Sequence, residues 1–145
     1  MKIVLQRVLS AAVSVDGRTT GAIGPGYLLL VGLAAGDDEN TVRRLAADIF
    51  KARLMSDAQG KMGVNLRDAG GQALAVSQFT LLADFSKGNR PSFNGAAKPE
   101  DAKPLFDLFV RELSDLLGSP VPTGVFGADM RVELVNDGPV TVVLE

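Results

Sequence analysis

Residues Tyr27 to Leu33 are apolar almost without interruption, and Gly24-Pro25-Gly26 breaks the chain just before them. A short continuous apolar run bounded by breakers is the pattern of a central strand buried on both faces. Such a strand needs neighbours in a sheet and cover from other layers, and the rest of the chain supplies candidates for both. Gly36-Asp37-Asp38-Glu39 places acids at a helix start, where the macrodipole favours them. Val42, Leu45, Ala46, Ile49 and Phe50 then recur at i, i+3, i+4, i+7 and i+8, one apolar stripe on a helix of about four turns. Pro99-Glu100-Asp101 opens a second helix, whose stripe is Leu105, Phe106, Phe109, Val110, Leu113, Leu116 and Leu117. Pro104 implies either a late start or a small kink, and Gly118-Ser119-Pro120-Val121-Pro122 stops the helix.

The remaining apolar runs read as strands. Residues 2–15 carry Ile3, Leu5 and Val8 and a second short run from Ala11 to Val15, with Asp16-Gly17 as a hairpin signal after them. Arg7 stands inside this apolar context and is read as reaching solvent along its stem. Ala73 to Phe79 is strand-like, as are Met130 to Val135, where apolar and charged residues alternate, and Val140 to Leu144. The class is α/β with a mixed, largely antiparallel sheet, and no repeat, linker or second domain interrupts residues 1–145. Between the last two strands lies Asn136-Asp137-Gly138-Pro139-Val140-Thr141, rich in turn formers. A plain hairpin turn is the bland reading. Against it, Asn-Asp-Gly already makes a turn, so Pro139 is surplus and removes a donor. A Gly-Pro bond also becomes cis for only about 0.5–1 kcal/mol. A rigid pair of carbonyls there is a shape gauge that touches a small substrate without reacting.

Composition then limits the chemistry. At 145 residues and 46% hydrophobic content the chain builds one real core. No apolar run reaches bilayer length, the N-terminus turns polar too soon for a signal peptide, and there is no cysteine. The expectation is a soluble cytoplasmic protein. Histidine is absent as well, which removes Ser-His-Asp and Cys-His catalysis and zinc sites built on His or Cys. No metal or cofactor is expected. A net charge of −2 argues against general phosphate coating and leaves room for local contact with one RNA end.

Two further stretches are candidates for chemistry. In Ser77-Gln78-Phe79-Thr80-Leu81 polar groups follow a buried strand directly. It is either a strand end with satisfied hydroxyls or a turn exposing backbone N–H groups beside a hydroxyl and an amide. Asp84 to Lys98 is a long polar loop in which Lys87, Arg90 and Lys98 are interleaved with Phe85 and Phe93. Base stacking with phosphate contacts is one use of such a loop; a surface loop pinned by two phenylalanines is the other.

Ser77-Gln-Phe-Thr-Leu81 and Asn136-Asp-Gly-Pro-Val-Thr141 together resemble the two signature motifs of D-aminoacyl-tRNA deacylases. The resemblance continues through Gln6-Arg7-Val8, Asp57-Ala-Gln-Gly-Lys-Met62, Gly88-Asn-Arg-Pro-Ser-Phe93 and Ala128-Asp-Met130. It departs at Gly63, where Asn is common, and at Phe106, where Tyr is common. It implies a homodimer with a barrel-like core and helices outside, hydrolysing the ester between a D-amino acid, or glycine, and the terminal adenosine of tRNA. On this resemblance Gly138-Pro139 is a cis pair reaching into the partner's pocket, where its carbonyls take the space of an L side chain. Arg7 holds that pair, with Ser77 and Asn136 in support; Phe126 and Met130 line the adenine pocket; Gln78, Phe79 and Thr80 sit beside the scissile ester. The N–H groups of Phe79 and Thr80 are the candidate oxyanion donors, with the ribose 2′-hydroxyl assisting. Thr80 lacks an adjacent base and is read as a positioning group. Competing readings are a non-catalytic module for an RNA 3′ end, a related deacylase for a small L-aminoacyl-tRNA, and a generic ester hydrolase.

Overall fold

The computed structural model describes Met1–Glu145. A long strand, β1 (Lys2–Val15), organises the sheet. On one side its first half pairs with β3 (Gly26–Gly32) and its second half with β2 (Arg18–Ile23). On the other side β7 (Arg131–Leu144) runs antiparallel along both halves. β3 pairs in turn with β6 (Gln72–Ser77), the one parallel pairing between strands, so the sheet is mixed and largely antiparallel. A small ribbon of β4 (Met55–Ser56) and β5 (Met62–Val64) stands apart. The sequence reading leaves that ribbon as turns, because strands of two and three residues carry no period to detect.

Both helices form where the stripes predict them. α1 (Glu39–Lys51) is capped by Asp38, whose carboxylate accepts from the Thr41 backbone N–H at 2.9 Å and from its hydroxyl. Those two bonds hold the Asp38 carboxyl below its usual range. α2 (Pro99–Leu117) starts at Pro99 and continues through Pro104, so the late start is not taken. Gly118 ends it in left-handed backbone. Val42, Leu45, Ala46 and Ile49 of α1 and Phe106, Phe109 and Leu113 of α2 pack with Ile3, Leu5, Tyr27, Leu29 and Val31. Leu28, Leu74 and Val76, pointing the other way on β3 and β6, join Val8, Ala11, Val13 and Ile23 in a second cluster. The β3 run is therefore buried on both faces, by the helices on one and by the curl of the sheet on the other. No helix is long and apolar enough to cross a membrane.

Two expectations change. Asn136 to Thr141 is not a hairpin turn between two strands: β7 passes straight through it. The pairing with β1 slips between Gln6 and Val8 and again between Val8 and Ser10, so the extra residues form a bulge within one continuous strand. Arg7 does not reach solvent. Side chains alternate along a strand, so Arg7 shares the buried face with Ile3 and Leu5 and is only 8% exposed.

Candidate active site

The bulge is held from two sides. Asn136 spans it with its side chain: its amide oxygen accepts from Val140 N–H at 2.8 Å, and its amide nitrogen donates to Val140 O at 3.2 Å and Thr141 Oγ1 at 3.1 Å. Beneath it, Arg7 Nε donates to the Asp137 carbonyl at 3.0 Å and lies 3.5 Å from the Asp137 carboxylate. Arg7 Nη1 donates to Leu54 O at 2.9 Å and Ser56 Oγ at 3.4 Å. A buried guanidinium needs such partners, since burying an unpaired charge costs several kcal/mol. Gly138-Pro139 is cis, and both residues are exposed. Gly138 has φ +141°, and a Cβ there would lie 2.8 Å from Val140 N and 3.3 Å from Arg7 Nη2. Glycine is required at this position on conformation and on space. Leu54 and Ser56 are partners of Arg7 that sequence reasoning misses, since nothing in their local pattern marks them. Asp137 lies in the marked stretch, but its bond to Arg7 is not legible there.

The second element is the turn after β6. Phe79–Leu82 form one short 3-10 turn, with Leu81 N–H bonded to Gln78 O and Ala83 N–H to Thr80 O. A helix start leaves its first N–H groups without intrahelical partners. Those of Phe79 and Thr80 donate in no turn, loop or cap hydrogen bond. The Gln78 side-chain amide donates to the Thr80 hydroxyl. The turn sits tightly on β3: a Cβ at Gly32 would lie 2.9 Å from Gln78 O and 2.7 Å from Leu82 Cδ2.

Next to this turn is a cavity of about 590 Å³. Ser77, Gln78 and Phe79 form one wall, and Phe126 and Met130 another. The walls meet because the 122–124 segment is tied to β6, through Ala75 N–H to Pro122 O at 3.1 Å and Gly124 N–H to Ala75 O at 3.3 Å. Phe93 closes a third side and packs edge-on against Phe79 at 5.0 Å. The Ala96–Pro99 approach to α2 also lines the cavity, and its Lys98 is the one charged lining residue. These loop residues meet only through the tertiary path, so no sequence pattern points to them. The cavity thus offers apolar walls, an amide, a hydroxyl and one lysine, and no carboxylate or imidazole.

The structure brings Ser77, Gln78, Phe79, Phe126 and Met130 together around one cavity, with Thr80 on the adjoining turn. It does not bring Arg7, Asn136, Gly138 or Pro139 to that cavity within the same chain; they form the separate bulge on the β1–β7 ribbon.

The family model described as D-Tyr-tRNA(Tyr) deacylase matches residues 4–145. The D-aminoacyl-tRNA deacylase of Chromobacterium violaceum is 57% identical over 145 residues, covering 100% of this chain and 97% of that protein. That of Dechloromonas aromatica is 52% identical with the same coverage. Among solved structures, the c-Myc DNA Unwinding Element Binding Protein is 37% identical with a TM-score of 0.94, covering 100% of this chain and 98% of its own. A protein described as a probable eukaryotic D-amino acid tRNA deacylase superposes with a TM-score of 0.86 at 16% identity, over 99% and 97% of the two chains. That last likeness speaks for the fold alone.

Proposed function

This chain belongs to the D-Tyr-tRNA(Tyr) deacylase family, and we propose that it hydrolyses the ester of D-aminoacyl-tRNA by the two-part site just described. The observation that carries the mechanism is the cavity beside Gln78–Thr80, whose lining holds no carboxylate or imidazole, next to a turn in which the N–H groups of Phe79 and Thr80 make no turn, loop or cap hydrogen bond. An aminoacyl ester is already activated. Water adds to its carbonyl carbon, the N–H groups of Phe79 and Thr80 receive the oxyanion, and the bond to the ribose oxygen breaks with a proton going to that oxygen. Losing one oxyanion donor typically costs about 3–4 kcal/mol in the barrier. The ribose 2′-hydroxyl orients or activates the water, a role that suits a chain without histidine. Phe126 and Met130 take the adenine; Thr80, held by the Gln78 amide, positions the reacting ester.

Chirality is read by exclusion. Gly138-Pro139 lies away from the cavity of its own chain, so in this reading it enters the cavity of a second copy and fills the space an L side chain needs. Rejection by clash requires no attraction to the D side chain, and glycyl-tRNA, with nothing to reject, is cleaved as well. The homodimer this demands is supported by β7. It is an edge strand, and Val135 and Val143 on it are 52% and 58% exposed. Exposed apolar edges are normally covered. The enzyme works on charged tRNA in the cytoplasm. The 37% identical relative is named for binding DNA; a net charge of −2 lacks the basic excess that coats a duplex.

The test is release of amino acid from matched D- and L-tyrosyl-tRNA, with sedimentation to give the assembly state. Wild type is expected to cleave the D ester, spare the L ester and sediment as a dimer. Gly138→Ala, whose Cβ displaces Val140 or Arg7, is expected to lose that discrimination. Equal cleavage of both esters by wild type, or a monomer active at full rate, overturns the proposal.

A further inference from the structure

The proposed site accounts for one nucleotide, the terminal adenosine, and leaves the neighbouring loop unused. That loop is built, not slack. Asp84 and Ser92 form a two-bond antiparallel bridge, Asp84 N–H to Ser92 O at 2.8 Å and Ser92 N–H to Asp84 O at 2.9 Å. The Asp84 carboxylate is turned inward on Ser86, accepting from its N–H at 2.8 Å and its hydroxyl at 3.0 Å. These bonds hold the carboxyl below its usual range. Gly88 N–H closes back on Phe85 O at 3.2 Å. The result is a pinned tip, residues 85–91, whose neck is joined to the cavity: Phe93, directly after it, lines the cavity and packs on Phe79.

The tip presents a ring and two cations to solvent. Phe85 is 59% exposed, the most exposed phenylalanine of the chain. Lys87 and Arg90 are exposed and take part in no ion pair, and Lys98 at the cavity rim has none either. Arg43, Arg44 and Lys103 are paired with carboxylates on their own helix or its neighbour, whereas Arg18, Lys51, Arg53, Lys61, Arg67 and Arg111 form no ion pair. What sets Lys87 and Arg90 apart is that they share one pinned tip with an exposed ring. In a chain of net charge −2, cations beside a solvent-facing ring, on a tip whose neck runs directly into the cavity wall at Phe93, match a nucleotide strand. Rings stack bases without regard to sequence, and cations beside them take the phosphates.

Building on the deacylase reading, we propose that the 85–91 tip is a second nucleotide platform. Phe85 stacks a base of the single-stranded nucleotides preceding the terminal adenosine, and Lys87 and Arg90 contact their phosphates. The platform binds the strand and leaves the chemistry at the ester unchanged.

The experiment measures binding of two stable probes carrying D-tyrosine through a 3′-amide: an RNA microhelix ending in CCA, and adenosine alone. Phe85→Ala is expected to weaken the microhelix about tenfold and to leave the adenosine probe unchanged, with Phe85→Tyr restoring wild-type affinity. Lys87→Ala with Arg90→Ala is expected to weaken the microhelix and lower its salt slope by about 0.7 per cation removed. Microhelix affinities equal to wild type, an equal loss on both probes, or wild type that prefers the adenosine probe overturns the platform. Hydrolysis of D-tyrosyl-tRNA by wild type is followed in parallel. Wild type that binds the microhelix through Phe85 but leaves the ester intact overturns the deacylase reading and not the platform.

Discussion

The packing of Gly32 under the Phe79–Leu82 turn makes a prediction with a magnitude attached. Adding a methyl group at Gly32 puts a Cβ 2.9 Å from Gln78 O, 2.7 Å from Leu82 Cδ2 and 3.2 Å from Leu81 Cβ. Leu82 can swing its side chain, but Gln78 O is main chain at the base of the turn that carries Phe79 and Thr80. Restoring a close C···O contact of about 3.3 Å moves that carbonyl by about 0.4 Å. Overpacking of this kind typically costs about 1–3 kcal/mol, and for a chain of this size each kcal/mol lowers Tm by about 2–4 °C. A 1 Å error in positioning can cost about 100-fold in rate, so a shift of about 0.4 Å scales to roughly five- to tenfold in kcat. Gly32→Ala is therefore expected to melt several degrees lower and to deacylate D-tyrosyl-tRNA several-fold more slowly, with KM little changed. Gly63→Ala is the control, because its added Cβ meets nothing within 4 Å. Thermal unfolding and steady-state deacylation measure both effects. A lowered Tm with kcat within a factor of two of wild type would refute the placing of the oxyanion donors on this turn.

Arg7→Lys keeps a charge but cannot serve Asp137 O, Leu54 O and Ser56 Oγ together. It is expected to cost about 1.5–3 kcal/mol for each charge-assisted bond lost and to raise cleavage of L-tyrosyl-tRNA; an unchanged D/L ratio in a destabilised protein refutes the bracing of the bulge by Arg7. Thr80→Ala is expected to retain most of the rate, and a trapped acyl ester on the Thr80 hydroxyl, seen by mass spectrometry after rapid quench, overturns substrate assistance. Burial raises the Tyr27 phenol above its ordinary value, against the smaller opposing effects of the Leu54 N–H and the Arg7 charge. Because the folded chain favours the neutral phenol, its contribution to stability is complete below about pH 10, the ordinary tyrosine value. It is lost as pH rises from there through the folded-state pKa. Tyr27→Phe is expected to flatten the alkaline fall in Tm, and an unchanged slope counts against that linkage.

What was readable in the sequence follows from which interactions are periodic. The β3 run and both helical stripes are periodic, and burial follows them residue by residue at Leu28, Leu29, Val42, Leu45, Phe106 and Phe109. Turn chemistry at Asp16-Gly17 also held, since φ is positive at both residues of that hairpin. The same chemistry misleads at Asn136-Asp137-Gly138-Pro139, because pairing with β1 on both sides of the segment outweighs the local preference for reversal. Asn136 supplies from its side chain the hydrogen bonds that a turn makes with its backbone. Arg7 shows a legible signal set aside: its parity with Ile3 and Leu5 already puts it on the buried face. The cavity itself was legible only in part. Ser77 to Thr80 and Met130 belong to motifs, and Phe126 comes only with the resemblance as a whole, whereas Ala96–Pro99 and Gly32 act through packing between distant segments.

β7 carries Val132 in the cavity wall near its start and Gly138-Pro139 at its middle, so a single strand links what a chain keeps to what it lends. In the proposed assembly, each active centre combines the catalytic turn of one chain with the chirality pair of the next. A chain crippled at Phe79–Thr80 and a chain crippled at Gly138-Pro139 therefore fail in different halves of the machine. Co-refolded, they form hybrids in which one centre inherits both faults and the other inherits neither, so the mixture regains stereospecific activity that each parent lacks.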